Sequence, residues 1–234
     1  MYFLSVDNWL IKFIKIIGSS VCHQLPARSL GNETLIMPVC SRCEGIYAGF
    51  LISAIILFLL FKKKENELPP IHILITMIIF VISTIIEGAL GLFSIIQTTN
   101  ISRFTTGYLS GSAVMVVIFP IFNYQYYKDS ITVRIFLKPW QFITFLSVNI
   151  ITIVIILLEF KFINYFLFYF SGTAVLFTFY FINLVLLLLI PVFSKKATFL
   201  FSRYLIFPTI LSLILTFIEI YLSYRFHQFL LKFH

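Results

Sequence analysis

Six long apolar runs dominate this chain of 234 residues, and they constrain its fold more than any other feature. A helix rises about 1.5 Å per residue, so about 20 apolar residues cross the ~30 Å hydrocarbon core of a bilayer. The runs are Gly45–Phe61, Ile71–Phe93, Thr105–Asn123, Phe142–Leu158, Ile163–Pro191 and Tyr204–Ser223. We therefore expect an all-α polytopic protein that crosses the cell membrane about six times.

A short amphipathic helix is expected ahead of the first span. Within residues 3–17, Ser5, Asn8, Lys12 and Lys15 recur at spacings of three and four among apolar side chains. Such a single polar stripe is typical of a helix that lies in the membrane interface. No cation precedes the apolar stretch, which argues against a signal peptide. A seventh span remains the alternative for this segment.

The positive charge of the chain is concentrated in short loops. The net charge is +8, and anionic lipid head groups explain basic residues beside spans better than nucleic acid does. The loops 62–67, 124–140 and 192–203 carry Lys62, Lys63, Lys64, Lys128, Arg134, Lys138, Lys195, Lys196 and Arg203. These loops alternate onto one side, which the positive-inside rule makes cytoplasmic. We expect the lipid bilayer as a partner, no nucleic acid, and an outward-facing cysteine segment.

Glycine divides the chain into two unlike halves. Eight of the nine glycines precede residue 112. They pair at helical spacing as Gly45 with Gly49, Gly88 with Gly91, and Gly107 with Gly111. Small residues at this spacing let helices approach closely in lipid. We expect residues 1–123 to form a tight three-helix bundle that carries the site. Residues 124–234 are then an apolar three-helix scaffold, with a surface suited to a homo-oligomer.

A cluster of metal-ligand residue types directly precedes the first span. Cys22 and His23 are adjacent, and Cys40 and Cys43 follow as a Cys-x-x-Cys pair. Thiolate and imidazole together can close a tetrahedral zinc shell, and the x-x spacing brings two sulfurs to one ion. We expect a bound zinc ion. Redox-active or disulfide-forming thiols, and simple packing of small apolar side chains, are the alternatives.

A carboxylate and several arginines are expected near the same face. Glu87 lies about 9 Å below the outer end of the second span, where an ionised carboxylate is costly unless it is neutralised or paired. Arg103 is its first candidate partner, with Arg42 and Arg28 as alternatives. Three guanidiniums can also bind a phosphate or carboxylate bidentately. We assign catalytic roles to Glu87 and Arg103, and ligand-binding roles to Arg28, Arg42, Gln97, Asn100 and Tyr47.

The motifs around these residues resemble a known family. Cys22-His23-Gln24-x-Pro26-x-Arg28-Ser29 is followed by Pro38-x-Cys40-x-Arg42-Cys43-x-Gly45-Ile46-Tyr47-x-Gly49, and then by Asn100-x-x-Arg103-x-x-Thr106-Gly107-x-x-x-Gly111. The pattern, over roughly residues 20–112, is similar to an uncharacterised prokaryotic membrane-protein family known as domain of unknown function 2085. The resemblance implies a membrane architecture and no particular reaction.

Two functional hypotheses follow. The first is an enzyme or transporter whose pocket opens outward and holds a lipid head group or small anion. The second is a non-catalytic assembly or partner-binding protein that uses the cysteine segment as a metal-clamped docking loop. A pocket requires Glu87 and Arg103 to face the bundle interior near the cysteines, whereas a docking loop requires neither. Common nucleotide-binding, hydrolase and haem-attachment motifs are absent from the sequence.

Overall fold

The structure is a computed structural model that describes residues 9–30, 37–62, 64–93, 96–158, 161–200 and 202–230. Its helices are α1 (Trp9–Val21), α2 (Ser41–Leu60), α3 (Ile71–Leu92), α4 (Asn100–Tyr126), α5 (Pro139–Leu157), α6 (Lys161–Leu188) and α7 (Ile206–Leu230), with two short strands, β1 (Glu65–Glu67) and β2 (Ile131–Arg134). Helices α2 to α7 each contain a segment long and apolar enough to span a membrane. This confirms the expected all-α, six-span architecture.

Helix α1 is an additional short helix. Its 13 residues span about 20 Å, which is less than the hydrocarbon thickness. It packs against α6 and α7, and the exposed Trp9 side chain lies at its start. The expected amphipathic segment begins at residue 3, and residues 3–8 lie outside the described part of the chain.

The helices divide into a buried centre and an exposed periphery. In α4 and α6, 61% of the best spanning window is buried, compared with 17% in α3 and 22% in both α5 and α7. The exposed side chains of α3, α5 and α7 are largely isoleucine, phenylalanine and leucine, as expected of surfaces that face lipid. Helix α2 packs against α4, its main partner, and also against α5 and α6.

Glycine creates the contact between α2 and α4. A Cβ on Gly49 would lie 2.1 Å from the carbonyl oxygen of Tyr108, and one on Gly107 would lie 2.4 Å from that of Arg42. A Cβ on Gly111 would lie 1.9 Å from the Ile46 oxygen. Each distance is far below ordinary van der Waals contact, so the two backbones touch only because these positions lack a side chain. The predicted close approach is thereby confirmed for α2 and α4.

The lysine-rich loops meet at one end of the bundle, which we call the lysine end. Strands β1 and β2 pair in parallel, with Glu65 opposite Ile131. The backbone N–H of Lys128 donates to the carbonyl of Ala197 at 2.9 Å. These bonds join the three connections that follow α2, α4 and α6. The opposite end, which carries residues 22–30, 37–40 and 96–99, is called the cysteine end.

The second half of the chain also contributes to the bundle interior. Helix α6 packs on α2, and the Ser171 hydroxyl donates to the buried carboxylate of Glu44. Residues from α6 therefore support the first turn of α2 directly. The division of the chain between residues 123 and 124 stays a prediction.

Two helices begin earlier than the apolar runs indicate. Helix α2 begins at Ser41 and α4 at Asn100, where the sequence predicted starts at Gly45 and Thr105. Thr99 and Ser102 form a reciprocal capping box that starts α4 among polar residues. Hydropathy locates where apolar side chains begin, and a cap starts the helix one turn sooner. Cys43 and Arg103 consequently lie on first helical turns instead of loops.

Candidate thiol and arginine site

The three cysteines converge at the cysteine end of the bundle. The Sγ atoms of Cys22, Cys40 and Cys43 all lie within 4.8 Å of one another. Cys22 directly follows α1, Cys40 caps the N-terminus of α2, and Cys43 lies in the first turn of that helix. We call these residues the thiol cluster. Sulfur atoms about 3.8 Å apart would satisfy tetrahedral Zn–S bonds of about 2.3 Å, so a small contraction lets the cluster hold zinc.

Hydrogen bonds within this cluster shift the pKa values of its thiols in opposite directions. Hydrogen bonds from the Cys22 and Cys43 side chains lower the pKa of the Cys40 thiol, and backbone N–H groups at the start of α2 lower it further. The hydrogen bond to Cys40 raises the pKa of Cys22, because it favours the protonated form of that thiol. Of Cys22 and Cys40, Cys40 is therefore the thiol that loses its proton more readily, and the thiolate is the form that binds metals.

Gln24 holds the two chain segments of the cluster together. Its side-chain amide donates to the carbonyl oxygens of Lys15 and Pro38, both at 2.8 Å. The backbone of Gln24 has a positive φ of 51°, which turns the chain sharply after Cys22. A Cβ on Gly18 would lie 1.9 Å from the Pro38 oxygen, so α1 also contacts this segment closely. The sequence analysis assigned no role to Gln24, although it belongs to the first motif.

His23 is not part of the group formed by the three sulfur atoms, although it lines the same cavity. Its ring lies edge-on to the ring of His227 on α7, with centroids 5.0 Å apart. Among the described residues, the donor atoms that lie mutually within 4.8 Å are the three cysteine sulfurs alone. Side chains of consecutive residues diverge, which explains how Cys22 can face the cluster while His23 faces α7. The ligand role of His23 stays a prediction.

Arg42 is the ion-pair partner of Glu87. Its Nη2 forms a salt bridge to Glu87 Oε2, and its Nε donates to the same oxygen at 3.1 Å. The Ser102 hydroxyl donates to the other carboxylate oxygen at 3.2 Å. A Cβ on Gly88 would lie 3.4 Å from the Arg42 guanidinium, so glycine leaves space for that group. The order of preference that placed Arg103 first was wrong, because Arg42 reaches Glu87 from the first turn of α2.

The Arg103 guanidinium is held by residues at the start of its own helix, α4. Its Nε donates to Thr98 Oγ1 at 2.9 Å, and its Nη1 lies 3.4 Å from Asn100 Oδ1. Asn100 in turn donates to the backbone carbonyl of Ser29 at 3.1 Å, which joins α4 to the segment between Cys22 and Cys40. Within the described part of the chain, no carboxylate pairs with Arg103 or Arg28.

Three arginines and a cysteine line one cavity at this end, which we call the arginine cavity. It has a volume of about 300 Å³. Arg28, Cys40, Arg42 and Arg103 line it together with the last two turns of α3, including Gly88 and Gly91. The side chains of Arg42 and Glu87 are 28% and 13% exposed, so their ion pair is partly removed from solvent. The cavity thus combines a partly buried ion pair with an excess of positive charge, and its Arg28 is exposed.

A second cavity adjoins the thiol cluster, and we call it the thiol cavity. It has a volume of about 350 Å³ and is lined by Val21, Cys22, His23, Gln24, Leu25, Arg28, Cys40 and Cys43. Arg28 and Cys40 line both cavities. The Ser41 hydroxyl donates to the Arg28 carbonyl at 2.9 Å, which links the Arg28 backbone to the start of α2. A ligand on the arginines would therefore lie next to the thiol cluster.

The remaining candidates lie farther from the cavities or beneath them. Gln97 is exposed and does not line the arginine cavity. Tyr47 packs beside Cys22 and Cys43 in an apolar cluster, with its ring 6.4 Å from that of Phe179. Their ligand-binding roles stay predictions.

Glu44 is a buried acid that the sequence analysis did not single out. Its side chain is 2% exposed and accepts a hydrogen bond from Ser171. A carboxylate directly after Cys43, at the entry of an apolar run, was the available signal. It supports the first turn of α2, which carries both Arg42 and Cys43.

Comparisons with known proteins agree with the motifs. A family model described as "Predicted membrane protein (DUF2085)" matches residues 22–117. An uncharacterized protein of Methanocaldococcus jannaschii is 36% identical over 121 residues, which is 50% of this chain and 76% of that protein. One of Methanothermobacter thermautotrophicus is 32% identical over 97 residues, 42% of this chain and 83% of that protein. No solved structure matches. The matched region contains the thiol cluster and every residue that we name on the arginine cavity.

Proposed function

Since the chain belongs to the DUF2085 family of predicted membrane proteins, we propose that it binds a phosphate-type anion at the extracytoplasmic face of the cell membrane. Arg28, Arg42 and Arg103 hold the anion, beside a metal ion on the thiol cluster. The anion is a small phosphate ester or the head group of a lipid. One observation carries the proposal: these three arginines line a single cavity together with Cys40.

Charge balance supports an anionic ligand. Among the described residues, Glu87 neutralises one of the three guanidiniums through its salt bridge with Arg42, and no described carboxylate pairs with the other two. Arginine presents a planar set of donors that matches phosphate oxygens bidentately. Close cations repel one another in a partly desolvated site, and an anion of charge −2 would relieve that repulsion. Glu87 positions Arg42, while Thr98 and Asn100 position Arg103.

The thiol cluster suits zinc beside this anion. Three thiolates are soft ligands that favour zinc, and a three-ligand site keeps one coordination position for an oxygen of water or ligand, which the metal polarises. Cys22, Cys40 and Cys43 would hold the ion, and Gln24 would fix the relative position of their two segments. The thiol cavity gives access to that position from the side of Arg28.

Binding of inorganic phosphate and glycerol 3-phosphate to the purified protein in detergent tests the proposal. Arg103→Gln removes the guanidinium but keeps a polar side chain. Loss of a charge-assisted hydrogen bond costs about 1.5–3 kcal/mol, so we expect dissociation constants to rise about 10- to 100-fold. Isothermal titration calorimetry measures the change.

Arg134→Gln is the matched control, because Arg134 lies at the lysine end and is 60% exposed. It should leave both dissociation constants unchanged. If Arg103→Gln and Arg134→Gln weaken anion binding equally, the assignment of the anion to the arginine cavity is refuted. The same holds if the folded wild-type protein binds neither anion.

A further inference from the structure

An apolar groove lies on the outside of the bundle between α3 and α4. It has a volume of about 320 Å³. Its lining consists of Leu74, Met77, Ile78, Val81, Ile82, Ala113, Val114, Val117 and Ile118. Ile78 and Ile82 are 50% and 46% exposed, so the groove is open along the bundle surface. A depression with this lining in a membrane-spanning surface suits a hydrocarbon chain.

The groove is aligned with the arginine cavity along α3. Ile78 and Ile82 line the groove, while Ile85 and Ala89 line the cavity. Their spacings of four, three and four residues place all four on one face of the helix. The two depressions therefore follow one another along a single stripe of α3.

Helix α4 repeats the same arrangement. Arg103 lines the cavity, and Val114 and Val117 line the groove. Eleven and fourteen residues correspond to about three and four helical turns, so these side chains share a face with Arg103. The Thr84 hydroxyl donates to the Thr106 carbonyl at 2.7 Å, which holds α3 and α4 together at the level between the two depressions.

We propose that the anion is the phosphate head of a membrane lipid, whose hydrocarbon chain lies in the α3–α4 groove. The inference rests on the proposed function and narrows its ligand class. The two guanidiniums that no described carboxylate neutralises match a phosphate monoester, whose charge approaches −2 near neutral pH. The apolar groove and the cationic cavity together match the two parts of an amphipathic molecule. A free anion would occupy the cavity alone and leave the groove without a partner.

Distances along α3 fit such a lipid. Gly88 at the arginines is about 9 Å from Ile82 and about 15 Å from Ile78, at 1.5 Å per residue. Half of a ~30 Å hydrocarbon core is about 15 Å, so a chain of one leaflet reaches the part of the groove between these residues. A longer chain would continue toward Leu74 at the far end of the groove.

Three probes separate the contributions of head and chain. Dioleoyl phosphatidic acid carries both, glycerol 3-phosphate carries the head alone, and dioleoylglycerol carries the chains alone. We expect the wild-type protein in detergent to bind phosphatidic acid at least about tenfold more tightly than either of the other two. Native mass spectrometry and calorimetry give the dissociation constants.

A matched pair of variants tests where the chain lies. Ile82→Trp fills the groove, and Ile79→Trp makes the same change at a site on α3 that is 56% exposed and outside the groove lining. Ile82→Trp should raise the dissociation constant for phosphatidic acid about tenfold and change that for glycerol 3-phosphate by less than about twofold. Ile79→Trp should change neither. Val114→Phe fills the groove from α4 and should repeat the result if Ile82→Trp fails to fold.

The outcomes distinguish the two proposals. If the groove-filling variants bind phosphatidic acid as tightly as Ile79→Trp does, the hydrocarbon chain does not lie in the groove, while the anion site stands. The same conclusion follows if glycerol 3-phosphate binds the wild-type protein as tightly as phosphatidic acid does. If Arg103→Gln leaves the binding of all three probes unchanged, the proposed function fails as well. If dioleoylglycerol binds as tightly as phosphatidic acid, the groove holds neutral lipid and the phosphate inference is refuted.

Discussion

The glycine contact between α2 and α4 can be tested by adding one methyl group. In Gly111→Ala, the new Cβ would lie 1.9 Å from the Ile46 carbonyl oxygen, while ordinary contacts begin near 3.4 Å. The two backbones must therefore separate locally by about 1.5 Å. Overpacking of this kind costs about 3 kcal/mol, and the better helix propensity of alanine offsets about 1 kcal/mol. We expect a net destabilisation of about 2 kcal/mol.

Gly172→Ala supplies the control for this experiment. Gly172 also lies inside a membrane-spanning helix, but its Cβ would meet only the Ile14 side chain, at 3.1 Å. The Ile14 side chain must move by only a few tenths of an ångström, so Gly172→Ala should cost much less stability than Gly111→Ala. Unfolding followed by circular dichroism in mixed micelles measures both variants. A Gly111→Ala protein as stable as Gly172→Ala would refute the claim that the α2 and α4 backbones are in contact.

Three further predictions concern the site and its orientation. Arg42→Met should destabilise the protein by about 2 kcal/mol because it leaves Glu87 unpaired, and adding Glu87→Met should recover part of that loss in the same unfolding assay. Metal analysis of purified protein should give one zinc per wild-type chain but none for Cys40→Ser; the same measurement on His23→Ala tests the predicted fourth ligand, since zinc loss in both variants would place His23 in the metal site and zinc loss in Cys40→Ser alone would restrict the site to the cysteines. Epitope tags inserted after Gln97 and after Lys196 should be accessible from opposite sides of the membrane in intact cells, and labelling from one side would contradict the six-span order.

The six spans could be predicted because length and apolarity are local properties. Each apolar run is long enough to cross the hydrocarbon, and backbone groups in lipid must bond within their own helix. The glycine pairs Gly45–Gly49 and Gly107–Gly111 also predicted correctly that two helices approach closely. Their spacing repeats along a helix face and needs no knowledge of the partner. The start of α4 was set by a capping box that hydropathy does not detect. Helix α2 also begins before its apolar run, although Cys40 at its N-cap position makes no side-chain capping hydrogen bond.

The pairings at the site could not be predicted from sequence alone. Arg42 and Arg103 both lay within plausible reach of Glu87, and the choice depends on Gly88 leaving room for the Arg42 guanidinium. The Cys-x-x-Cys pair and Cys22 predicted a cluster, which is confirmed for the three sulfurs. The contact between His23 and His227 depends on how α7 packs beside α1, which no local pattern specifies.

The central claim is that the cavity lined by Arg28, Arg42 and Arg103 binds phosphate. An experimental structure of the protein soaked with tungstate, a heavy-atom analogue of phosphate, tests it most directly. We expect an anomalous peak inside this cavity, with oxygen atoms about 2.7–2.9 Å from guanidinium nitrogens of at least two of the three arginines. Tungstate bound only at the lysine end, with none in the arginine cavity, would contradict the account.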